Sequence, residues 1–154
     1  MPNWCVGTLK IRGKKKDIKR FLLEGLQPVD FVGMNKPKLK ADTDEEGVFE
    51  LYTVETCHIP HTARGFIKEL EVSFGEKDDE TITITADAKF AWSINAEQLL
   101  GCCKQYDLDM KIYAFELGME FNQDVEIVNG EIVKDEIIEF DDYTWECPCP
   151  NLGG

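Results

Sequence analysis

The sequence lacks the features that define several large classes of protein. No apolar run approaches the ~20 residues that a membrane-spanning helix needs. Lys10, Arg12 and Lys14 leave the N-terminus without a hydrophobic signal core, so we expect a cytoplasmic location and no membrane partner. There is also no glycine-rich phosphate loop of the Walker or dinucleotide-binding kind. These absences argue against a membrane protein, a secreted protein and a standard nucleotide-binding enzyme.

Histidine is scarce, with two residues, while cysteine occurs six times. In a reducing cytosol disulfides are disfavoured, and we expect buried thiols. Two close groups nevertheless offer zinc-type ligands, namely Cys57 with His61 and Cys147 with Cys149. Zinc takes four such ligands in a tetrahedron, but a Cys-x-Cys pair is a poor match to the usual longer spacing. We therefore predict no metal and no other cofactor, and keep these four residues as weak candidates.

No set of residues converges on a reaction. Cys57 lies beside His58, but sequence neighbours in a strand point to opposite faces, so adjacency is no evidence of a catalytic dyad. Among thirty Asp and Glu residues, some pair will always have the spacing of catalytic carboxylates. We therefore predict that the protein is not an enzyme.

The net charge of −13 is divided unevenly along the chain. Residues 1–40 carry ten Lys and Arg against three Asp and Glu, whereas residues 41–154 carry seven against twenty-seven. A basic cluster at the start of the first predicted helix is a candidate phosphate-contact surface: Lys14, Lys15, Lys16, Lys19 and Arg20. Because the protein as a whole repels nucleic acid, a nucleic-acid role would rest on this patch alone.

Eight acidic residues fall in and between the last three predicted strands: Glu116, Glu120, Asp124, Glu126, Glu131, Asp135, Glu136 and Glu139. Strand alternation can place several of them in rows on one exposed face. Such rows can imitate a phosphate backbone, which favours a partner protein that itself binds nucleic acid. Alternatively, the charges only maintain solubility and keep the sheet edges unpaired.

Apolar periodicity predicts a chain that mixes strands and helices. Strands are expected at 4–12, 48–56, 81–90 and 109–117, with a hairpin of 121–128 and 131–140 around Asn129-Gly130. Helices are expected to start at Lys14, at Pro60 and after an N-cap at Asn95. The helix from Pro60 would bury Ala63, Phe66, Ile67 and Leu70.

This order of elements predicts an α+β fold of the ferredoxin-like class. Its βαββαβ core would carry an inserted helix and an added C-terminal β-hairpin. Residues 1–140 would form this single domain, and residues 141–154 a poorly ordered tail. We expect Trp4 and Trp92 to be core anchors, because large aromatic residues inside strands usually are.

Three stretches resemble a known family. Pro2-Asn3-Trp4-Cys5, Ala91-Trp92-Ser93 and Asn129-Gly130-Glu131 are similar to motifs of phage- and plasmid-borne ferredoxin-like proteins of the YubB type. The resemblance spans most of residues 1–139 and implies a ferredoxin-like fold and a setting in a mobile genetic element, but no reaction. The chain departs from the family at Ile94-Asn95, where two prolines are usual, and has no counterpart of its Asn-Trp-Gly-Thr-Lys-Trp segment.

Together these observations predict a non-enzymatic accessory protein of a phage, plasmid or integrated element that acts by protein–protein binding. The sharper hypothesis is an acidic, nucleic-acid-mimicking inhibitor of a host defence complex, bound to a basic nucleic-acid-binding host protein. The alternative is a nucleic-acid-binding accessory protein that uses the basic N-terminal helix. The terminal Gly153-Gly154 is explained most simply as a flexible end.

Overall fold

The computed structural model describes residues 1–154, and most of them lie in one antiparallel sheet of nine strands. In chain order the strands are β1 (Trp4–Lys14), β2 (Gln27–Val29), β3 (Asp42–Thr43), β4 (Val48–His58), β5 (Gly65–Gly75), β6 (Thr81–Ala91), β7 (Asp109–Glu116), β8 (Phe121–Val128) and β9 (Glu131–Glu139). They are arranged in the order β2-β4-β5-β6-β1-β7-β8-β9, and β3 also pairs with β4. The first strand of the chain is therefore central, and β9 forms a free edge.

Three short helices accompany the sheet. Helix α1 (Lys15–Arg20) continues as a π-helical turn (Phe21–Gly25), α2 spans Ala96–Tyr106, and α3 is the single turn Tyr143–Glu146. No helix is long and apolar enough to cross a membrane.

The predicted ferredoxin-like fold is wrong. The structure is mostly an antiparallel sheet of nine strands, and only 17% of the residues are helical. The main cause is the helix expected from Pro60, because that segment forms strand β5 instead. Two further short strands, β2 and β3, lie between the first helix and β4.

A local irregularity in β5 produces the misleading helical spacing. Ile67 and Leu70 are both buried although they are three residues apart. Between them Glu69 has a left-handed φ of 57°, and the pairing register with β4 shifts between Thr53 and Thr56. A β-bulge of this kind shifts the alternation of buried and exposed residues by one position. The buried residues of the strand then have the spacing that is typical of a helix.

Other local predictions are confirmed. The side chain of Asn95 accepts a hydrogen bond from the Gln98 N–H at 3.1 Å and so caps α2. Asn129 and Gly130 have φ values of 52° and 71°, as the two-residue turn between β8 and β9 requires.

The two faces of the sheet differ in what covers them. On β1, Leu9 and Ile11 are fully buried beneath α1 and α2, in a core cluster of 29 residues. Thr8, Lys10 and Arg12 alternate with them and are exposed. We call the two sides the helical face and the open face of the sheet.

Residues 141–154, for which composition predicts poor order, lie against one end of the open face. The Tyr143 hydroxyl donates to Asn122 Oδ1 at 2.9 Å, and the Gly154 N–H donates to the Trp4 carbonyl at 2.9 Å. A Cβ atom on Gly153 would lie 2.4 Å from the Phe115 carbonyl oxygen, so only glycine fits there. Gly153-Gly154 thus has a packing role in this structure.

Candidate functional site

The basic cluster of the first helix is paired with acidic groups of the same chain. Its ion pairs are Lys14–Asp79 at 3.9 Å, Lys15–Asp78 at 2.9 Å, Lys16–Asp79 at 3.6 Å, Lys19–Glu76, and Arg20–Asp17 at 3.5 Å. Most of the partners lie in the turn between β5 and β6, beside the helix. The excess of positive charge in residues 1–40 is thus compensated locally, which leaves little free charge for a phosphate backbone.

One of these pairs has a measurable pH signature. A hydrogen bond from Lys15, together with one from the Glu80 N–H, lowers the pKa of the Asp78 carboxyl. Because the folded pKa lies below the unfolded value of about 3.9, this pair stabilises the fold above about pH 4 and is lost as pH falls through the lowered pKa. We expect Asp78 to titrate below the usual Asp range by NMR, and to move up in Lys15→Met. Equal titration in both proteins would contradict this pairing.

The eight acidic candidates do not form one row. Glu116 is fully buried and accepts hydrogen bonds from two backbone N–H groups. Asp124 pairs with Lys134 at 3.2 Å, and Glu126 lies 3.4 Å from Lys111.

The other acidic candidates are divided between the two faces and the turns. Glu136 lies opposite Asp124 on the open face, whereas Asp135 and Glu139 alternate onto the other face. Glu120 and Glu131 lie in or beside turns. The exposed carboxylates are therefore scattered and partly neutralised by lysines, which is a poor imitation of a phosphate backbone.

The four metal candidates do not converge on one site. Cys57 is fully buried in the core, and the His61 ring bonds Gln105 on α2 at 2.6 Å. Cys147 lies beside Asn122 on the open face. Nowhere do three His, Cys, Asp or Glu side chains converge as they would around a metal ion.

A different site is present on the open face, where β4, β5, β6 and β1 lie side by side. There a groove of about 870 Å³ is bounded by the loop that follows β2. We call it the aromatic groove and define it by Trp4, Arg64, Phe66, Lys68 and Lys89 on the sheet side, with Phe31, Val32, Lys36 and Val54 at its lip. Four cations and two carboxylates line it, an excess of two positive charges in a strongly acidic protein.

Arg64 is the centre of this site. Its guanidinium carbon lies 5.7 Å from the ring centroid of Trp4 and equally 5.7 Å from that of Trp92. Lys89 Nζ lies 4.5 Å from the Trp4 ring, and Phe66 meets that ring edge-on at 6.1 Å. Neither Arg64 nor Lys89 forms an ion pair within the chain, so both cations are available to an anionic ligand.

The lip of the groove is unusually apolar for a protein surface. Phe31 is 99% exposed, Val32 63% and Val54 61%. Trp92, beside Arg64, is 59% exposed and has a left-handed φ of 63°, which a bulky residue rarely adopts. Large exposed apolar groups and a residue held in an unfavourable conformation both mark binding sites.

The sequence pattern does not predict this site. Trp92 was expected in the core and is exposed, and Trp4 is half-buried on the open face. Arg64 and Phe66 fall in the segment predicted to be a helix, where Phe66 was assigned to a buried stripe. Only the actual strand pairing, which sets Phe66 opposite Lys89 and Trp4 opposite Ala91, brings these residues together.

Comparison with known proteins adds no identification. No family model, no curated protein and no solved structure matches the chain. The resemblance to the YubB-type proteins therefore stays a prediction, and the functional argument rests on the chemistry of the groove.

Proposed function

We propose that the protein is a non-enzymatic binding protein that holds an acidic segment of a partner protein in the aromatic groove. Arg64 supports this proposal most directly, because it is exposed between two tryptophan rings and has no carboxylate of its own chain. Tryptophan and arginine are the residues that most often dominate the energy of protein interfaces. The uncompensated cations select for carboxylates in the partner.

Three features favour a polypeptide over a nucleic acid. Val32 and Val54 expose aliphatic groups at the lip, which a protein side chain can bury but a base cannot stack on. Arg64 and Lys89 already lie against the Trp4 ring, which leaves that ring poorly placed as a stacking platform. The net charge of −13 adds a general repulsion of nucleic acid.

The biological setting of this activity comes from the sequence alone. We still predict that the protein is a cytoplasmic accessory protein of a phage, plasmid or integrated element. Inhibition of a host defence complex also stays a prediction, but the contact surface proposed for it moves from the acidic strands to the groove. The partner surface would then be acidic and apolar rather than basic.

The test is affinity capture from a host lysate, with and without nuclease, by three forms of the protein. Arg64→Glu reverses the central charge of the groove. Lys104→Glu is the matched control, since Lys104 is an exposed cation on α2 without an ion pair. We expect a partner protein that is retained by the native chain and by Lys104→Glu.

With Arg64→Glu, the affinity for that partner should fall at least ~30-fold, as expected when a hot-spot residue worth about 2 kcal/mol is lost. Retention of the same partner by Arg64→Glu would overturn the proposal. Capture of nucleic acid alone, abolished by nuclease, would assign the groove to nucleic acid instead.

A further inference from the structure

The tail is anchored on the open face by a buried thiol. The side chain of Cys147 is 4% exposed, and its sulfur lies 3.4 Å from Asn122 Nδ2. The thiol in turn donates to Asn122 Oδ1 at 3.6 Å, and the Tyr143 hydroxyl and the Cys149 N–H lie near the sulfur. Asn122 itself is fully buried, and its amide donates to the Tyr113 hydroxyl at 3.1 Å.

The polar groups around Cys147 lower the pKa of its thiol. Burial alone would raise the pKa of the thiol, but the nearby donor groups of Tyr143, Asn122 and the Cys149 backbone outweigh it and lower the pKa. A thiolate is the form of cysteine that attacks disulfides. The lowered pKa therefore increases the fraction of Cys147 that is present as thiolate, although the sulfur is enclosed.

A second thiol follows at a distance that permits a bond. Cys149 is exposed, and the chain bends at Pro148–Cys149. Cα atoms two residues apart in a bent chain are separated by about 5–7 Å, which overlaps the range seen for disulfides. The exposed Cys149 thiol, which reagents can reach, is thus close to the enclosed Cys147 thiol. Cys147 can displace a small thiol that has become bound to Cys149.

The other four thiols have the opposite character. Cys5, Cys57, Cys102 and Cys103 are buried in the core. Burial raises the pKa of Cys5 to about 12, of Cys57 to about 11 and of Cys103 to about 12, and it raises that of Cys102 as well. Such thiols are inert toward disulfides, so reactivity is confined to the tail.

We propose that Cys147 and Cys149 form a redox-active dithiol that is oxidised by a small-molecule disulfide of the glutathione class. The Cys149 thiolate attacks the small disulfide, forms a mixed disulfide and releases one thiolate. The Cys147 thiolate then attacks Cys149 Sγ, which closes the Cys147–Cys149 bond and releases the second thiolate. The two protons lost by the cysteines go to the leaving thiolates, so the protein loses two electrons and the small disulfide gains them.

Closure of this bond changes the packing of the tail. In a Cys147–Cys149 disulfide the Cys147 sulfur turns toward an exposed neighbour and leaves Asn122 without its partner. The tail ends beside the groove, because Leu152 contacts the same cavity as Lys68 and Lys89. Oxidation therefore loosens the segment that borders the aromatic groove. This inference does not depend on what the groove binds.

The experiment is to incubate the native protein with glutathione disulfide, alkylate the remaining thiols and map them by mass spectrometry. We expect the tryptic peptide that starts at Asp135 to lose two hydrogens, with no glutathione attached, while the four core cysteines stay reduced. Cys147→Ser should stop at a mixed disulfide on Cys149. Cys149→Ser should react at least tenfold more slowly.

Two outcomes would overturn the proposal. One is a mixed disulfide on Cys149 that persists in the native sequence, because Cys147 would then not resolve it. The other is oxidation that begins at a core cysteine or does not occur at all. Amide hydrogen exchange provides an independent readout, since the Gly154 N–H should exchange faster after oxidation and return to its original rate after reduction. An unchanged rate in the oxidised protein would contradict the loosened tail.

Discussion

Replacing Gly7 by alanine is expected to destabilise the protein by at least ~3 kcal/mol, a large part of the 5–15 kcal/mol that holds a typical domain folded. Gly7 lies in the central strand β1, opposite Ala114 of β7 and Ala88 of β6. A Cβ atom there would lie 2.4 Å from the Tyr113 carbonyl oxygen. This oxygen belongs to the backbone of a paired strand, so it cannot move aside without disturbing the ladder. Urea denaturation measures the effect.

The matched control for this substitution is Gly75→Ala at the end of β5. Nothing lies within 4 Å of the Cβ position of Gly75, and its φ is not in the left-handed region. Alanine at that position should change the unfolding free energy by less than about 0.5 kcal/mol. If Gly7→Ala were as stable as Gly75→Ala, the register of β1 between β6 and β7 would be in error.

Replacing Glu116 by alanine should cost about 3 kcal/mol and lower the Tm by roughly 10 °C. Glu116 is fully buried, and its two carboxylate oxygens accept from the Gly118 and Met119 N–H groups at 2.7 Å each. Alanine would leave both donors without a partner at the turn between β7 and β8. Calorimetry on purified protein measures the loss.

Two variants separate this capping role from a role of charge. Glu116→Gln keeps one acceptor oxygen and should lose less stability than Glu116→Ala. Glu120→Ala removes an exposed carboxylate four residues later and should be nearly neutral. Equal effects of Glu116→Ala and Glu120→Ala would mean that Glu116 is only a surface charge, as the sequence suggested.

The strands and turns with strong local signals could be predicted from sequence, and the architecture could not. Asn129-Gly130 demands a tight hairpin, and Asn95 offers a helix cap, because both effects depend only on neighbouring residues. Strand β5 has no such signal, since the left-handed Glu69 gives its buried residues a helical spacing. When β5 is predicted to be a helix, the order of elements alternates strands with helices. The predicted fold is then α+β although the structure is a nine-stranded sheet.

The candidate functional surfaces depend even more on tertiary pairing. Lys15 and Asp78 are 63 residues apart, so their ion pair cannot be predicted from the sequence. Without the turn between β5 and β6 beside α1, the basic cluster is predicted to be unpaired. Glu116 reads as a surface charge because its partners are backbone N–H groups. Trp92 is predicted to be a core residue because the hydropathy pattern does not distinguish an exposed aromatic side chain from a buried one. The contacts of Lys15 and of Glu116 do not show in the sequence pattern, because one is distant in sequence and the other is made by the backbone.

We propose above all that the aromatic groove, rather than the acidic strands, contacts a partner protein. The most direct test replaces Phe31 at the lip of the groove by the photocrosslinking residue p-benzoylphenylalanine, and in a second protein Glu139 on β9. Both are irradiated in host lysate, with and without nuclease. We predict a nuclease-resistant crosslink from position 31 to a protein with an acidic, apolar segment, and none to that protein from position 139. A crosslink from position 139 alone, or only to nucleic acid from position 31, would contradict the account.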